Sequence, residues 1–334
     1  MRDESHSVLP ATDPKLPALS ALEAAAALVH SVMPSTPQYR WPLLCERAGA
    51  EVWVKHENHT PIGAFKIRGG VTYMAALKRV EPGIAGVVAA TRGNHGQSIA
   101  FAAKRAGLQS VVVVPHGNSV EKNAAMRALA AELIEHGHDF QAAYEFAADL
   151  ARQRNLHRLP SFHPWLVLGV ASYALELFGA VPDLDTVYVP IGLGSGICGT
   201  IAARNALGLK TKIVGVVAEN APAYALSFAK RASVSTNSAD TIADGMACRV
   251  PDETALATIF AHAERVVTAG EDEIKAAMRH YFTDTHNVVE GAGAAPLAAL
   301  LKERDSMAGK RVALVLSGGN IDRAVYARVL TGDG

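Results

Sequence analysis

Short apolar runs alternate with longer helical segments between residues 86 and 153, and this rhythm restricts the chain to a small set of folds. The clearest strand is Ser110–Val114, a valine-rich run that follows a helical segment at Gly96–Ala106. Strands that alternate with helices of about ten or more residues are typical of parallel sheets with helices packed against them. The sequence therefore predicts an α/β fold.

The same rhythm returns in the second half of the chain, after a break near residues 159–164. The predicted strands there are Thr186–Ile191, Lys212–Ala218 and Arg311–Leu316. A chain of 334 residues is long enough for two moderate domains, each with its own core. We therefore predict two α/β domains, of which the second is larger and includes the N-terminal helices.

The composition fits a globular enzyme and excludes several classes of partner. The formal net charge is zero, so the chain has no basic field that would attract nucleic acid. No apolar run approaches the roughly 18 residues of a membrane span, and residues 1–19 lack the pattern of an export signal. The 3 cysteines lie far apart and suggest neither a disulfide framework nor a structural zinc site. We therefore expect a cytoplasmic protein that binds neither nucleic acid nor membrane.

One lysine, Lys66, follows a turn that contains Pro61 and Gly63 and precedes the glycine pair Gly69–Gly70. Turn residues before the lysine place its side chain at the end of an element, where it can face a cleft. Burial lowers the pKa of a lysine amine, which can then form a Schiff base with an aldehyde. A solvated lysine at a basic helix start is the simpler interpretation of this run alone.

A glycine-rich loop, Gly192–Gly199, follows the predicted strand Thr186–Ile191. A strand, a glycine turn and a helix together form a cradle for phosphate, because backbone N–H groups at the helix start face the anion. The same residues match G-x-G-x-x-G at Gly194–Gly199, and Glu219 lies about 20 residues further on, as in dinucleotide-binding folds. A nicotinamide-dependent oxidoreductase is therefore a rival hypothesis, although it leaves Lys66 unexplained.

Two further loops follow predicted strands. Thr91–Gln97 combines glycines and small polar groups before a helix, which suits a carboxylate, although an ordinary capped loop has the same pattern. Ser317–Asn320 follows the last strand, where a hydroxyl can bond a heterocyclic nitrogen or cap a tight turn. Neither loop identifies a ligand alone.

Taken together, these runs resemble the fold type II pyridoxal phosphate-dependent enzymes, and most closely the threonine/serine dehydratase and serine racemase family. KHEN at 55–58, TIADGMA at 241–247 and EGAGAAPLAAL at 290–300 extend the resemblance over about residues 30–330. It implies pyridoxal 5'-phosphate as cofactor, a homodimer, and two domains, each with a mostly parallel twisted sheet flanked by helices. Residues 1–86 and 163–334 would form the large, phosphate-binding domain, and residues 87–162 the small domain that binds the substrate carboxylate.

The resemblance also implies roles for individual residues. Lys66 would hold the cofactor and act as a base, Phe65 would pack beside the cofactor ring, and Ser317 would face its nitrogen. Asn94 would bind the ring hydroxyl. The phosphate would lie on the backbone of Gly192, Leu193, Gly194, Ser195 and Gly196. The substrate carboxylate would lie on Thr91, Arg92, Gly93, Asn94 and His95.

These roles imply an ammonia-lyase (dehydratase) that eliminates water from a 3-hydroxy amino acid such as L-threonine or L-serine, giving a 2-oxo acid and ammonia. Arg92 stands where racemases of the family have a serine, and a permanently charged guanidinium is a poor acid–base. Racemase, β-replacement synthase and oxidoreductase activities therefore have less support. Arg92 could instead bind the second carboxylate of a 3-hydroxyaspartate-type substrate, or form a structural or surface ion pair.

Two features bear on metal binding and regulation. Glu219 resembles the first ligand of the family's divalent-cation site, but Ala225 stands at the position of the second acidic ligand, so we predict no metal site. The sequence stops after the part that resembles the catalytic domain, without the regulatory domain of biosynthetic threonine dehydratases. We therefore expect a catabolic role.

Overall fold

The structure is a computed structural model that describes residues 16–332. Residues 1–15, which contain most of the segment inspected for an export signal, lie outside this range. Among the described residues, no helix is long and apolar enough to cross a bilayer. The described chain consists of strands and helices that build two sheets.

The strands are β1 (Gln38–Arg40), β2 (Glu51–His56), β3 (Gly86–Ala90), β4 (Gln109–Val114), β5 (Glu132–Glu135), β6 (His157–Arg158), β7 (Thr186–Pro190), β8 (Lys212–Ala218), β9 (Arg265–Ala269) and β10 (Arg311–Leu316). The helices are α1 (Leu19–His30), α2 (Pro42–Ala48), α3 (Lys66–Val80), α4 (Asn94–Ala106), α5 (Val120–Ala128), α6 (Phe140–Arg154), α7 (Pro164–Ala180), α8 (Ser195–Ala206), α9 (Ala223–Lys230), α10 (Glu253–His262), α11 (Glu271–Thr285), α12 (Gly291–Lys302), α13 (Arg304–Met307) and α14 (Arg323–Thr331).

The larger sheet has six strands in the order β1-β2-β10-β7-β8-β9. Only the pair β1–β2 in this sheet is antiparallel, and all its other neighbours are parallel. The smaller sheet has four parallel strands in the order β5-β4-β3-β6. The predicted α/β fold with two mostly parallel sheets flanked by helices is confirmed.

Five short elements were not predicted from the sequence: β1, β6, α9, α13 and α14. The strands β1 and β6 contain 3 and 2 residues, too few for a recognisable alternation of side chains. They form because β2 and β3 offer them backbone hydrogen-bond partners. Their existence depends on tertiary contacts rather than on their own sequence.

Helix α12 lies very close to the loop after β10 because its first turns consist of glycine and alanine. A Cβ atom on Gly293 would lie 2.7 Å from Gly318 O, and one on Gly291 would lie 2.9 Å from Ala243 Cα. This approach brings Glu290, the residue before α12, against the same loop, where its N–H donates to Gly318 O at 3.1 Å. Small residues thus let a carboxylate enter the interior near the ends of the strands.

A buried network of charges joins α3 to α7 and to the end of β2. The Arg68 side chain is fully buried and donates to the carboxylates of Glu57 and Glu176 over 2.6–2.9 Å. Lys55 Nζ donates to Glu176 Oε2 at 2.6 Å. Burial alone would raise the pKa of Glu176, but Arg68 and Lys55 outweigh it and lower that pKa to about 2. Two cations therefore balance two carboxylates beside the helix that starts at Lys66.

Replacing Arg68 by methionine should destabilise the fold strongly, because Glu57 and Glu176 would lose their buried partner. Breaking a buried pair of this kind costs about 3–5 kcal/mol, and denaturant unfolding monitored by circular dichroism measures the loss. Arg154→Met is the matched control, since Arg154 pairs with Glu132 on the surface and such pairs contribute at most about 1 kcal/mol. Equal losses in both variants would contradict a structural role for the buried network.

Candidate active site

A cavity of about 680 Å³ opens beyond the carboxyl ends of β3 and β7, one strand from each sheet. It is lined by the loops that follow these strands, by the first residue of α3 and by residues between 237 and 250. Ligands of open α/β sheets bind beyond the carboxyl ends of the strands. This cavity is therefore the candidate active site.

Lys66 is the first residue of α3, and its side chain lines the cavity. The turn before it is held by Thr60 Oγ1, which accepts from Ala64 N and donates to Ala64 O at 2.9 Å. Phe65 N donates to Ser317 O at 3.0 Å, which ties this turn to the end of β10. The first residue of α3 therefore has a defined position at the cavity wall.

The Lys66 amine makes no hydrogen bond with any described residue, and it lies 5.2 Å from the centre of the Phe65 ring. Burial lowers the pKa of this amine, and the negative charge of Glu290 opposes that effect in part. A smaller fraction of the amine is thus protonated at a given pH than in a solvated lysine. These are the properties that a nucleophilic lysine requires.

The glycine loop after β7 reaches the cavity through Gly192 and Leu193 and leads into α8. Gly194 has a φ of 100°, a left-handed conformation that disfavours any residue with a side chain. A Cβ atom on Gly192 would lie 2.3 Å from Gly245 O, so this position also requires glycine. The loop presents backbone N–H groups at the start of a 12-residue helix, as an anion site requires. Ser195 and Gly196, in the first turn of α8, are buried.

The loop after β3 contributes Thr91, Arg92, Gly93, Asn94 and His95 to the cavity wall. Thr91 Oγ1 accepts from Gly93 N at 3.1 Å and from Gly96 N at 3.3 Å, so this hydroxyl is used to shape the loop. Burial, followed by the charge of Lys66, lowers the pKa of His95 to about 3. His95 is therefore neutral near pH 7 and cannot act there as a proton donor from a charged ring.

Asn94 has both ends of its side-chain amide engaged. Its Nδ2 donates to Glu290 Oε1 at 2.7 Å, and its Oδ1 accepts from Asn320 Nδ2 at 2.8 Å. These partners fix the orientation of the amide and leave one N–H of Nδ2 without a partner among residues 16–332. Ser317 is buried at the end of β10, and its hydroxyl bonds no other residue in the described part of the chain. Both groups therefore keep capacity for a ligand.

Arg92 and Glu219 differ in their relation to the cavity. The exposed Arg92 side chain lines it and has no ion-pair partner within residues 16–332. Glu219 is exposed at the end of β8 and does not line the cavity. Over the described range, no cluster of histidine, cysteine, aspartate and glutamate could hold a metal ion. Because Glu219 lies outside the cavity, its position does not support the hypothesis of a dinucleotide-binding site.

Sequence reasoning missed three charged residues at the site: Lys122, Asp244 and Glu290. Lys122 Nζ lies 2.5 Å from Asp244 Oδ2 and 3.7 Å from Glu290 Oε2. Two of the three belong to the TIADGMA and EGAGAAPLAAL runs, so those runs could have identified them. Lys122 lies on α5 outside any such run, and only the folded chain brings it to the site.

The arrangement suits a ligand that carries an aldehyde, a phosphate and a heterocyclic ring. A lysine amine with a lowered pKa faces one cavity with a glycine loop at a helix start. Gly192 cannot be replaced by a larger residue without displacing Gly245. Ser317, whose carbonyl accepts from Phe65 N in the turn before Lys66, has a hydroxyl that no described residue uses. Pyridoxal phosphate has all three groups, and the described residues fit it.

Because its pKa is lowered, Lys66 in cofactor-free protein should be labelled by an amine-reactive reagent at lower pH than an ordinary lysine. Labelling by a limiting amount of an amine-reactive acylating reagent should rise with pH around a midpoint below 10.5, because burial disfavours the charged amine. Peptide mass spectrometry over a pH series measures this midpoint. In Glu290→Gln the midpoint should move lower still, since Glu290 raises the pKa of Lys66. An unchanged or higher midpoint in this variant would contradict the assigned electrostatics.

Comparison with known proteins agrees with this geometry. Residues 32–318 match the family model described as pyridoxal-phosphate dependent enzyme. An L-threonine ammonia-lyase of Thermotoga maritima is 32% identical over 313 residues, 93% of this chain and 78% of that protein. An L-threo-3-hydroxyaspartate ammonia-lyase of Saccharomyces cerevisiae is 30% identical over 89% of this chain and 91% of its own length.

A solved structure of another pyridoxal phosphate-dependent enzyme has the same fold. The crystal structure of a pyridoxal 5'-phosphate-dependent aspartate racemase superposes with a TM-score of 0.87 at 30% identity, over 92% of this chain and 98% of that chain. The family model covers most of the sequence, and the described residues fit the cofactor named in its description. This chain therefore belongs to the pyridoxal-phosphate dependent enzymes and uses pyridoxal phosphate as its cofactor.

Proposed function

We propose that this enzyme is an ammonia-lyase that eliminates water from a 3-hydroxy amino acid such as L-threonine or L-serine, with a 2-oxo acid and ammonia as products. The observation that carries the proposal is the single cavity shared by Lys66, the glycine loop at 192–193 and the loop at 91–95. The relative from Thermotoga maritima, an L-threonine ammonia-lyase, supports this reaction class.

In the proposed mechanism Lys66 holds the cofactor and later moves a proton. When bound, pyridoxal phosphate supplies an electron-withdrawing ring that stabilises negative charge on the α carbon of an amino acid. Lys66 Nζ removes the α proton, for which its lowered pKa suits it. Phe65, in the turn before α3, would pack beside the cofactor ring, and Ser317, after β10, would face the ring nitrogen. Asn94 would donate its free N–H to the ring hydroxyl.

The two loops divide the binding task. The backbone of Gly192, Leu193, Gly194, Ser195 and Gly196, at the start of α8, would hold the cofactor phosphate. The loop from Thr91 to His95, before α4, would hold the substrate carboxylate. We further propose that residues 1–86 and 163–334 form one domain and residues 87–162 another, because the larger sheet draws its strands from the first set and the smaller sheet from the second, apart from Gly86 at the start of β3. The catalytic lysine then faces the substrate-binding domain across the cavity.

A second candidate substrate is an acidic 3-hydroxy amino acid of the 3-hydroxyaspartate type. Arg92 favours it, because this exposed guanidinium lines the cavity without an ion-pair partner within residues 16–332. A guanidinium binds a carboxylate through paired hydrogen bonds. The yeast relative is named for a substrate of this kind. Racemisation has less support, since Arg92 stays protonated and cannot exchange a proton with the α carbon.

We also propose a homodimer in the cytoplasm. The family resemblance implies two copies, and an apolar face formed by β1, α2 and the end of α11 could join them. Tyr39, Leu43, Phe282 and Val288 on this face are 41–51% exposed. The free cysteines Cys45, Cys198 and Cys248 suit a reducing compartment.

A screen of amino acids tests the reaction. L-serine, L-threonine and both diastereomers of 3-hydroxyaspartate should be compared for release of 2-oxo acid. Lys66→Ala should lower the rate on every substrate by at least about 100-fold, because the base at the α carbon is lost. Its thermal midpoint should stay near that of the wild type, which shows that the fold persists. Full activity of a folded Lys66→Ala protein would refute the proposed mechanism.

The two substrate hypotheses separate at Arg92. Arg92→Gln should lower kcat/KM for 3-hydroxyaspartate by about 10-fold to 100-fold, the loss expected for one hydrogen-bonded charge pair. The values for serine and threonine should change little. Uniform losses on all substrates would instead mean that Arg92 shapes the loop.

Dimer formation can be tested on the apolar face. The double change Leu43→Glu and Val288→Glu should yield monomers in sedimentation velocity at micromolar concentration, because two buried charges would remain unpaired in the interface. Val80→Glu, at an exposed apolar residue at the end of α3, is the control and should leave the assembly unchanged. A double variant that sediments like the wild type would place the interface elsewhere.

A further inference from the structure

Lys122 connects both sides of the cavity through charged contacts. It lies on α5, in the part of the chain that forms the smaller sheet, whereas Asp244 and Glu290 lie among residues that flank the larger sheet. Its ammonium group is 2.5 Å from Asp244 Oδ2 and 3.7 Å from Glu290 Oε2. The Lys122 and Glu290 side chains are only 7% and 3% exposed, while Asp244 is 33% exposed and lines the cavity.

Glu290 stands between this ammonium group and the amide that faces the cofactor. Its Oε1 accepts from Asn94 Nδ2 at 2.7 Å, while its Oε2 is buried and bonds no other group in the described part of the chain. A hydrogen bond to a charged carboxylate is stronger than one to a neutral acid. The charge of Glu290 therefore determines how firmly the Asn94 amide is held, with Asn320 bonded to its other end.

The stem of Lys122 also supports the loop that carries Asn94. A Cβ atom on Gly93 would lie 2.4 Å from Lys122 Cδ, so the backbone at Gly93 rests directly on the lysine side chain. On the other side of the cavity, the residue after Asp244 contacts the glycine loop, since a Cβ on Gly192 would lie 2.3 Å from Gly245 O. Lys122 thus touches the Asn94 loop and pairs with the segment that packs on the glycine loop.

We propose that Lys122 is a positioning residue of the active site, whose ammonium group bridges Asp244 and Glu290 across the cavity and keeps Glu290 charged beneath the Asn94 amide. The proposal depends on the cofactor of this enzyme and not on which amino acid it converts. Lys122 acts through Glu290 and Asn94 and needs no contact with the substrate.

The charges around Glu290 predict the direction in which its pKa should shift in each variant. Burial and the charge of Asp244 raise the pKa of Glu290, whereas Lys122, the hydrogen bond from Asn94 and Lys66 lower it, and the net result is a pKa of about 7. Removal of the Lys122 charge should therefore keep Glu290 protonated to higher pH, and removal of the Asp244 charge should let it ionise at lower pH. A group that merely fills space would not produce opposite shifts.

The test is the affinity of cofactor-free protein for pyridoxal phosphate as a function of pH, measured by absorbance titration without any amino acid. Affinity should rise with pH as Glu290 ionises and holds Asn94 more firmly. In Lys122→Met the midpoint of this rise should move up by about one pH unit, the shift expected for loss of a nearby opposite charge. In Asp244→Asn it should move down, and in Lys122→Arg it should stay near the wild-type value.

Two further variants separate this effect from other titrations. Glu290→Gln should remove the part of the rise in affinity that Glu290 causes, and adding Lys122→Met to Glu290→Gln should leave the remaining pH dependence unchanged. Lys212→Met, which removes a surface partner of Glu264, is the matched control and should leave the midpoint unchanged. The cofactor's own titrating groups are common to all these proteins.

Shifts of the affinity midpoint in opposite directions in Lys122→Met and Asp244→Asn support the proposal. Shifts of both midpoints in one direction, or no shift, overturn it. If Lys122→Met fails to fold, Asp244→Asn decides alone, because a lower midpoint supports the proposal and an unmoved one overturns it. A failed substrate screen would leave this measurement unaffected, so the two proposals fail independently.

Discussion

The buried guanidinium of Arg68 is the interaction on which the geometry of the site depends. It lies two residues after Lys66 in the first turn of α3, and it bonds carboxylates from the end of β2 and from α7. Because an unpaired carboxylate in the interior would be costly, these groups hold one another in place. Helix α3, which presents the catalytic lysine, is thereby anchored to the larger sheet and to α7.

The site itself forms where two sheets place the carboxyl ends of their strands around one cavity. Glycines at 192 and 194 and the small residues of α12 allow backbone segments to approach closely there. Into this crowded region the chain brings Lys66, Lys122 and Glu290, all largely shielded from solvent. In such a medium each charge strongly affects its neighbours, so the protonation of one group depends on the others.

Much of this could be predicted from the sequence. The alternation of strands and helices predicted the fold class. The glycine loops predicted the positions at which a strand ends and the next helix begins. Lys66 and the loops at 91–95 and 192–196 were identified because each has a local signal: a turn before a lysine, or glycines before a helix. The elements β1 and β6 were missed, since two or three residues have no periodicity and form strands only beside an existing strand.

The class of fold and the residues with a local motif could be predicted from the sequence alone, because side-chain periodicity and glycine spacing act over a few neighbouring residues. The family followed from the resemblance of several such runs taken together. The folded chain was needed to show that Lys122, Asp244 and Glu290 share one charge cluster and that burial lowers the pKa of His95. It also showed that Arg92 lines the cavity without an ion-pair partner among residues 16–332. The physical reason is that burial and the distances between charges set these properties, and both depend on segments far apart in the chain.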